Sequence, residues 1–195
     1  MYDYEIVKEN IENILENNVH NKPVGFIMIG LPASGKSTLI NKLQKDFGIK
    51  HVLSTDTLAE EYAEKNNLTY KAAIKTNFKE FKKEMQNKAS LIKINKEDFI
   101  WDQVNSNKNI REAKVRMFKN DFYVIGILMN PTSEQILNRM IDRKLYSDKD
   151  LSSAMIFEMS KLFSMPEISE GFKEILVVGE KICKISENSN FKMNS

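Results

Sequence analysis

Apolar residues in this chain come in short continuous runs separated by stretches in which they recur at helical spacing. That alternation points to an α/β protein built on a buried, mainly parallel sheet. Val24 to Ile29 (Val-Gly-Phe-Ile-Met-Ile), Phe99-Ile100-Trp101 and Phe122 to Met129 read as strands covered on both faces, and His51-Val52-Leu53 and Phe172 to Val178 read as two more. Residues 5–18 set Ile6, Val7, Ile11, Ile14 and Leu15 along one helical stripe, predicting a leading helix against the sheet. Thr38 to Asp46 places Leu39, Ile40 and Leu43 at helical spacing, with Gly48 as its stop. Thr69 to Ala89 predicts one long helix with Phe78, Phe81 and Met85 inward and Lys71, Lys75, Lys79, Lys82, Lys83 and Lys88 as a solvated face. Leu91 to Glu97 is left as a connection, and Ile110 to Lys119 is a helix whose Arg111 and Arg116 could face a site or solvent. Asn130-Pro131 predicts a helix start with Asn130 as cap. Ser147 and Asp150 resemble a capping box for Leu151 to Phe163, with Leu151, Met155, Met159 and Leu162 as its buried stripe.

Composition narrows the class. A chain of 195 residues suits one domain, here a leading helix at 5–18, a core over 23–178 and a polar tail at 187–195. Hydrophobic residues at 42% and charged ones at 29% describe an ordinary globular protein. No apolar stretch approaches the roughly 18–20 residues of a membrane span. The start, Met-Tyr-Asp-Tyr-Glu, lacks the apolar segment of a signal peptide. Cys183 is the single cysteine and cannot form an internal disulfide, which fits a cytoplasmic location. A net charge of +2 gives no bulk reason to expect a polyanion, though a local patch could bind one.

One loop carries explicit chemistry. Gly30-Leu31-Pro32-Ala33-Ser34-Gly35-Lys36-Ser37 satisfies G-x-x-x-x-G-K-[ST] at every fixed position, after a strand and before a helix. Glycines let successive N–H groups surround phosphate oxygens, and the helix N-terminus adds partial positive charge. Lys36 is placed to reach the β- and γ-phosphates of ATP, and the Ser37 hydroxyl to join the shell of a Mg²⁺ ion. Thr38 closes the run. Two carboxylates emerge where a parallel sheet puts its ligands, at the carboxyl ends of strands. Asp56 follows the second strand as a candidate general base; Thr55 or Asp56 could also cap the next helix, which is compatible with that role. Asp102 follows the third, in the Walker-B position that orients Mg²⁺. Arg139 and Arg143 lie four apart on one helix face, beside a polar stretch, Tyr146-Ser147-Asp148, able to act as a lid. Together these features imply a P-loop NTPase, a three-layer α/β/α sandwich with a short sheet and a helical lid.

In that order the motifs resemble those of P-loop kinases of the polynucleotide 5′-hydroxyl kinase type. The resemblance rests on Gly-Leu-Pro-Ala-Ser-Gly-Lys-Ser-Thr, Ser-Thr-Asp56, Trp-Asp102-Gln-Val-Asn105, Asn138-Arg139-Met-Ile-Asp-Arg143-Lys, and Met165-Pro166 with Gly171-Phe172-Lys-Glu-Ile175. It implies an ATP- and Mg²⁺-dependent kinase with Asp56 as base, Arg139 and Arg143 as lid arginines, and Asp102 as the acidic residue after the third strand. One departure is that Asp56 is followed by Thr57-Leu58-Ala59-Glu60, where the family has an arginine. Three readings stay open. The acceptor is the 5′-hydroxyl end of a nucleic acid, or it is a nucleoside, nucleotide or other small metabolite, or the chain is a nucleotide-dependent switch that transfers nothing.

Overall fold

Every residue of Val24–Ile29 (β1) is apolar and buried, so this strand needs cover on both faces and belongs at the centre of a sheet. The computed structural model describes residues 2–146 and 153–186; the side chains of 142–146 and 153 lie outside the description. Around β1 run His51–Leu53 (β2), Phe99–Asp102 (β3), Tyr123–Asn130 (β4), Glu174–Gly179 (β5) and Ile182–Ile185 (β6). They form one six-stranded sheet in the order β2-β3-β1-β4-β5-β6. All pairs are parallel except β5 with β6.

Side chains alternate across β1 and so divide between two cores. Phe26 and Met28 pack with Val7, Ile11 and Ile14 of Tyr4–Glu16 (α1) and with Leu39, Ile40 and Leu43 of Lys36–Phe47 (α2). Ile27 and Ile29 face the other way. They join Ala59 of Thr55–Lys65 (α3), Phe81 and Met85 of Tyr70–Asn95 (α4), and Val115 and Phe118 of Lys108–Phe118 (α5). Three layers result, as the strand pattern implies, in the α/β architecture of P-loop NTPases. Gly25 is where β1 meets an aromatic cluster, since a Cβ there would sit 2.6 Å from the Phe99 ring. Among the described residues no helix is long and apolar enough to cross a membrane.

Several elements depart from the sequence pattern. The leading helix begins one residue early and ends at Glu16, and Ile6 on its expected inner stripe is 46% exposed. The long helix α4 continues to Asn95 through what reads as a connection. Phe78 is exposed while Phe81 and Met85 are buried, because non-helical angles at Asn77 break the helical phase. The sheet passes the expected limit at Val178 and gains the antiparallel edge strand β6, whose face carries a half-buried Cys183. Ser133–Tyr146 (α6) starts later than Pro131. β4 absorbs Asn130, and Thr132 and Gln135 exchange backbone-to-side-chain bonds as the cap. Ser153–Lys161 (α7) buries Ile156 rather than Met155, which is exposed; Leu162, just past it, is exposed too. Ser147, Asp148, Asp150 and Leu151, the lid stretch and capping box, lie outside the described residues.

Arg111 faces neither the cleft nor solvent. It is fully buried, with Nε and Nη2 donating to Glu170 Oε2 and Oε1 at 2.7 and 2.6 Å, and with further bonds to the carbonyls of Asn105, Ser164 and Met165. It therefore fastens the loop after β3 to the segment that returns towards β5. Arg111→Met, which strands the Glu170 carboxylate in the interior, is expected to cost about 3–5 kcal/mol in urea unfolding. The double variant Arg111→Met/Glu170→Leu should recover part of that loss. A single variant as stable as the native chain would show that the pair is not a structural clamp.

Candidate active site

The loop after β1 is shaped by what surrounds it. Gly30 has φ 151°, and a Cβ there would lie 2.8 Å from Ser34 Oγ and 3.0 Å from Met129 Cβ, so no larger residue fits. Ala33 and Gly35 also take positive φ, at 61° and 100°. Gly35 is the N-cap of α2 and offers no side-chain acceptor to the first-turn N–H groups, which leaves them for an anion. Ser34 Oγ is buried with no hydrogen-bond partner among the described residues, a polar atom that a phosphate oxygen would satisfy.

Two cations hold the carbonyls of this loop. Lys36 Nζ donates to the carbonyls of Gly30 at 2.8 Å and Leu31 at 3.0 Å. Arg139, on α6, donates from Nη1 to the carbonyls of Ser34 at 2.8 Å and Ala33 at 3.3 Å. A trans peptide points its N–H opposite its C=O, so holding the Ser34 carbonyl turns the Gly35 N–H away from the guanidinium, while the Ser34 N–H donates within the loop to Leu31 O at 3.2 Å.

β1 and β3 end side by side, with Met28 opposite Asp102. Beyond them Gly30 N–H donates to Val104 O at 3.0 Å, and Asn105 Nδ2 to Met28 O at 2.6 Å. The β3 carboxylate is thereby fixed next to the phosphate loop. A cleft of about 1120 Å³ opens there, lined by Pro32, Ala33, Ser34, Gly35, Lys36, Ser37, Thr38, Asp56, Asp102 and Arg139 together. Gly30 and Leu31 are not in its wall; they serve through their carbonyls. Asp56 sits in the first turn of α3, where Ser54, not Thr55 or Asp56, is the cap, its Oγ accepting from Thr57 N–H at 3.3 Å. The Asp56 carboxylate instead accepts from the Tyr70 hydroxyl, Oδ1 at 2.9 Å. Arg143 belongs to α6, and its side chain lies outside the described residues.

The donors fit a magnesium nucleotide. Ser37 and Asp102 present hard oxygen ligands in one wall, and among the described residues no group of three or more His, Cys, Asp or Glu could hold a metal unaided. Mg²⁺ is ordinarily held by one or two carboxylates completed by phosphates and water, and Asp102 is a carboxylate placed for that part.

Lys114, which the sequence pattern alone did not single out, lies behind the same loop. It donates to Gln103 Oε1 at 2.6 Å and to Asn105 Oδ1, and its ammonium lies 4.9 Å from the centre of the Trp101 ring. Burial first, and the Lys82 charge second, push its amine down to about 7. Its spacing did carry a signal, since 111, 114, 115 and 118 form one buried helical stripe.

A family model described as an AAA domain matches residues 26–166. The chain belongs to that AAA-domain family. Solved structures share its fold. A candidate kinase of Chloroflexus aurantiacus matches at a TM-score of 0.61 and 17% identity, over 82% of this chain and 89% of that one. A chain of the Pnkp1/Rnl/Hen1 RNA repair complex matches at 0.58 and 17%, over 75% of this chain and 46% of its own length. Chaetomium thermophilum Kti12, solved with ADP-AlF3, matches at 0.55 and 17%, over 80% and 89%. The AAA-domain family and the kinase-like neighbours together establish a nucleotide-binding P-loop protein of kinase-like fold.

Lys114 gives this AAA-domain protein a pH signature. The unfolded amine holds its proton up to about 10.4, the folded one only up to about 7. Between those values the unfolded chain binds more protons, so stability rises with pH. Thermal unfolding at pH 7 and 9.5 should show native Tm gaining more than that of Lys114→Met over this interval. Equal gains would contradict the buried position.

Proposed function

We propose that this AAA-domain protein transfers the γ-phosphoryl group of ATP to a hydroxyl acceptor. The observation behind this reading is that the phosphate loop, Ser37, Asp102 and Asp56 line one cleft, with Asp56 anchored through one oxygen by Tyr70. The other oxygen, Oδ2, makes no bond among the described residues and takes the acceptor proton as the hydroxyl attacks. Loop N–H groups and Lys36 hold the triphosphate, Lys36 exchanging its carbonyl partners for phosphate oxygens. A Mg²⁺ ion held by Ser37 and Asp102 would screen the phosphate charge. Arg139, already against the loop, offsets charge on the transferring group, and Arg143 is its proposed companion on α6.

The leading acceptor is the 5′-hydroxyl end of a nucleic acid, which the motif order and the lysines of α4 support. The cleft wall also contains Asn41, Gln44 and Glu60, neutral amides and one carboxylate. That lining favours the second reading, a small hydroxyl-bearing acceptor.

With γ-labelled ATP and either a 5′-hydroxyl oligonucleotide or mixed nucleosides, label is expected on the oligonucleotide. Label only in small molecules would select the second reading. Asp56→Asn is expected to lower kcat by about 10²–10⁴-fold, with the ATP dissociation constant within about twofold of native because the carboxylate acts on the acceptor. Lys36→Ala should abolish transfer and weaken ATP binding. Full transfer by Asp56→Asn would remove the base.

A further inference from the structure

The cleft does not end at Asp56. Tyr70, Lys71 and Phe78 of α4 continue its wall; before the break at Asn77 Lys75 follows Lys71 by one turn, and after it Lys82 follows Phe78 by one turn. Phe78 is 44% exposed although its neighbours in the helical pattern are core residues. The break at Asn77, φ −124° and ψ 17°, immediately precedes it. The Lys82 ammonium stands 5.1 Å from the centre of the Phe78 ring. Phe78 lines the cleft, so this contact sets Lys82 at its edge.

Charge is segregated around α4. Lys71, Lys75, Lys79, Lys82 and Lys83 are exposed, and none forms an ion pair among the described residues. Glu80 and Glu84 share a different face, where Glu84 pairs with Lys88 at 3.2 Å. Eleven residues from Lys71 to Lys82 correspond to roughly 16 Å of helix. A basic track interrupted by an exposed aromatic ring suits a single-stranded nucleic acid, with phosphates following the cations and a base stacking on the ring. The track leads to Asp56 and Glu60, two carboxylates that repel a terminal phosphate and admit a neutral hydroxyl.

We infer that the Lys71–Lys75–Phe78–Lys82 stretch of α4 is the track on which a single-stranded nucleic acid lies with its 5′-hydroxyl end at Asp56. This rests on the phosphotransferase reading for the role of that end, but the binding surface is separately testable. The experiment uses the full chain, a fluorescent 5′-hydroxyl 12-mer and the variants Phe78→Ala and Lys75→Gln/Lys82→Gln. Circular dichroism checks that both fold, and anisotropy is read across salt concentrations. Phe78→Ala is expected to weaken 12-mer binding roughly tenfold, through the lost stacking contact. The lysine pair should lower the slope of log affinity against log salt by about 1.4, at about 0.7 for each lost phosphate contact. Transfer should show the same pattern as a higher KM for the 12-mer than in the native chain.

Native binding that neither variant alters overturns the track, as does a native chain that fails to bind the 12-mer at low salt. If label still reaches nucleosides in either case, the phosphotransferase reading survives without the track. Binding that depends on these residues with no transfer to any hydroxyl supports the track and removes the phosphotransferase reading.

Discussion

Two hydrogen bonds just beyond the sheet govern the arrangement of this protein. Gly30 N–H reaches Val104 O, and Asn105 Nδ2 reaches Met28 O, so the chain leaving β3 stays tied to the end of β1 and the start of its loop. The ladder sets Met28 opposite Asp102, and these bonds hold the segments that follow it. Asn105 carries positive φ at 51°, a conformation that asparagine tolerates better than most residues. Its own side chain is held by Lys114 and its carbonyl by Arg111. Two buried basic side chains of α5, Arg111 and Lys114, thus stand directly behind the tie, and through it behind the site.

The same economy of charge runs through the loop itself. Four loop carbonyls find Lys36 and Arg139, and the Gly35 N–H points away from the carbonyl that Arg139 holds. A loop so held is preorganised for an anion before one arrives, which spares much of the ordering cost of binding. Asp56 is treated similarly by Tyr70, a residue from the start of α4. Lys36, Arg139 and Asp56 are each oriented by a group outside their own helix.

Where local pattern and tertiary demand agree, the sequence was readable. The fully apolar β1, the fixed glycines and lysine of the loop, and the stop at Gly48 each follow from one segment's own chemistry. Asp56 and Asp102 were legible as strand-end carboxylates, and the structure brings both to the loop. What stayed hidden depends on contacts distant in sequence. Arg111 looks like any surface arginine until Glu170, 59 residues away, is folded against it. Phe78 fits an inward heptad position until the break at Asn77 shifts the phase. β6 has too few residues to announce itself and forms by pairing with β5. Ser54 displaced its neighbours as the cap of α3 because β2 ends one residue before it.

The central claim is that one cleft holds the triphosphate in the loop while Asp56 faces its terminal phosphate. A crystal structure with a non-hydrolysable ATP analogue and Mg²⁺ tests it most directly. The account predicts the γ-phosphate among the N–H groups of the loop, Lys36 Nζ moved from the Gly30 and Leu31 carbonyls onto phosphate oxygens, and the Asp56 carboxylate on the open side of that phosphate. A triphosphate seated elsewhere, or an Asp56 carboxylate turned away from it, would contradict the account.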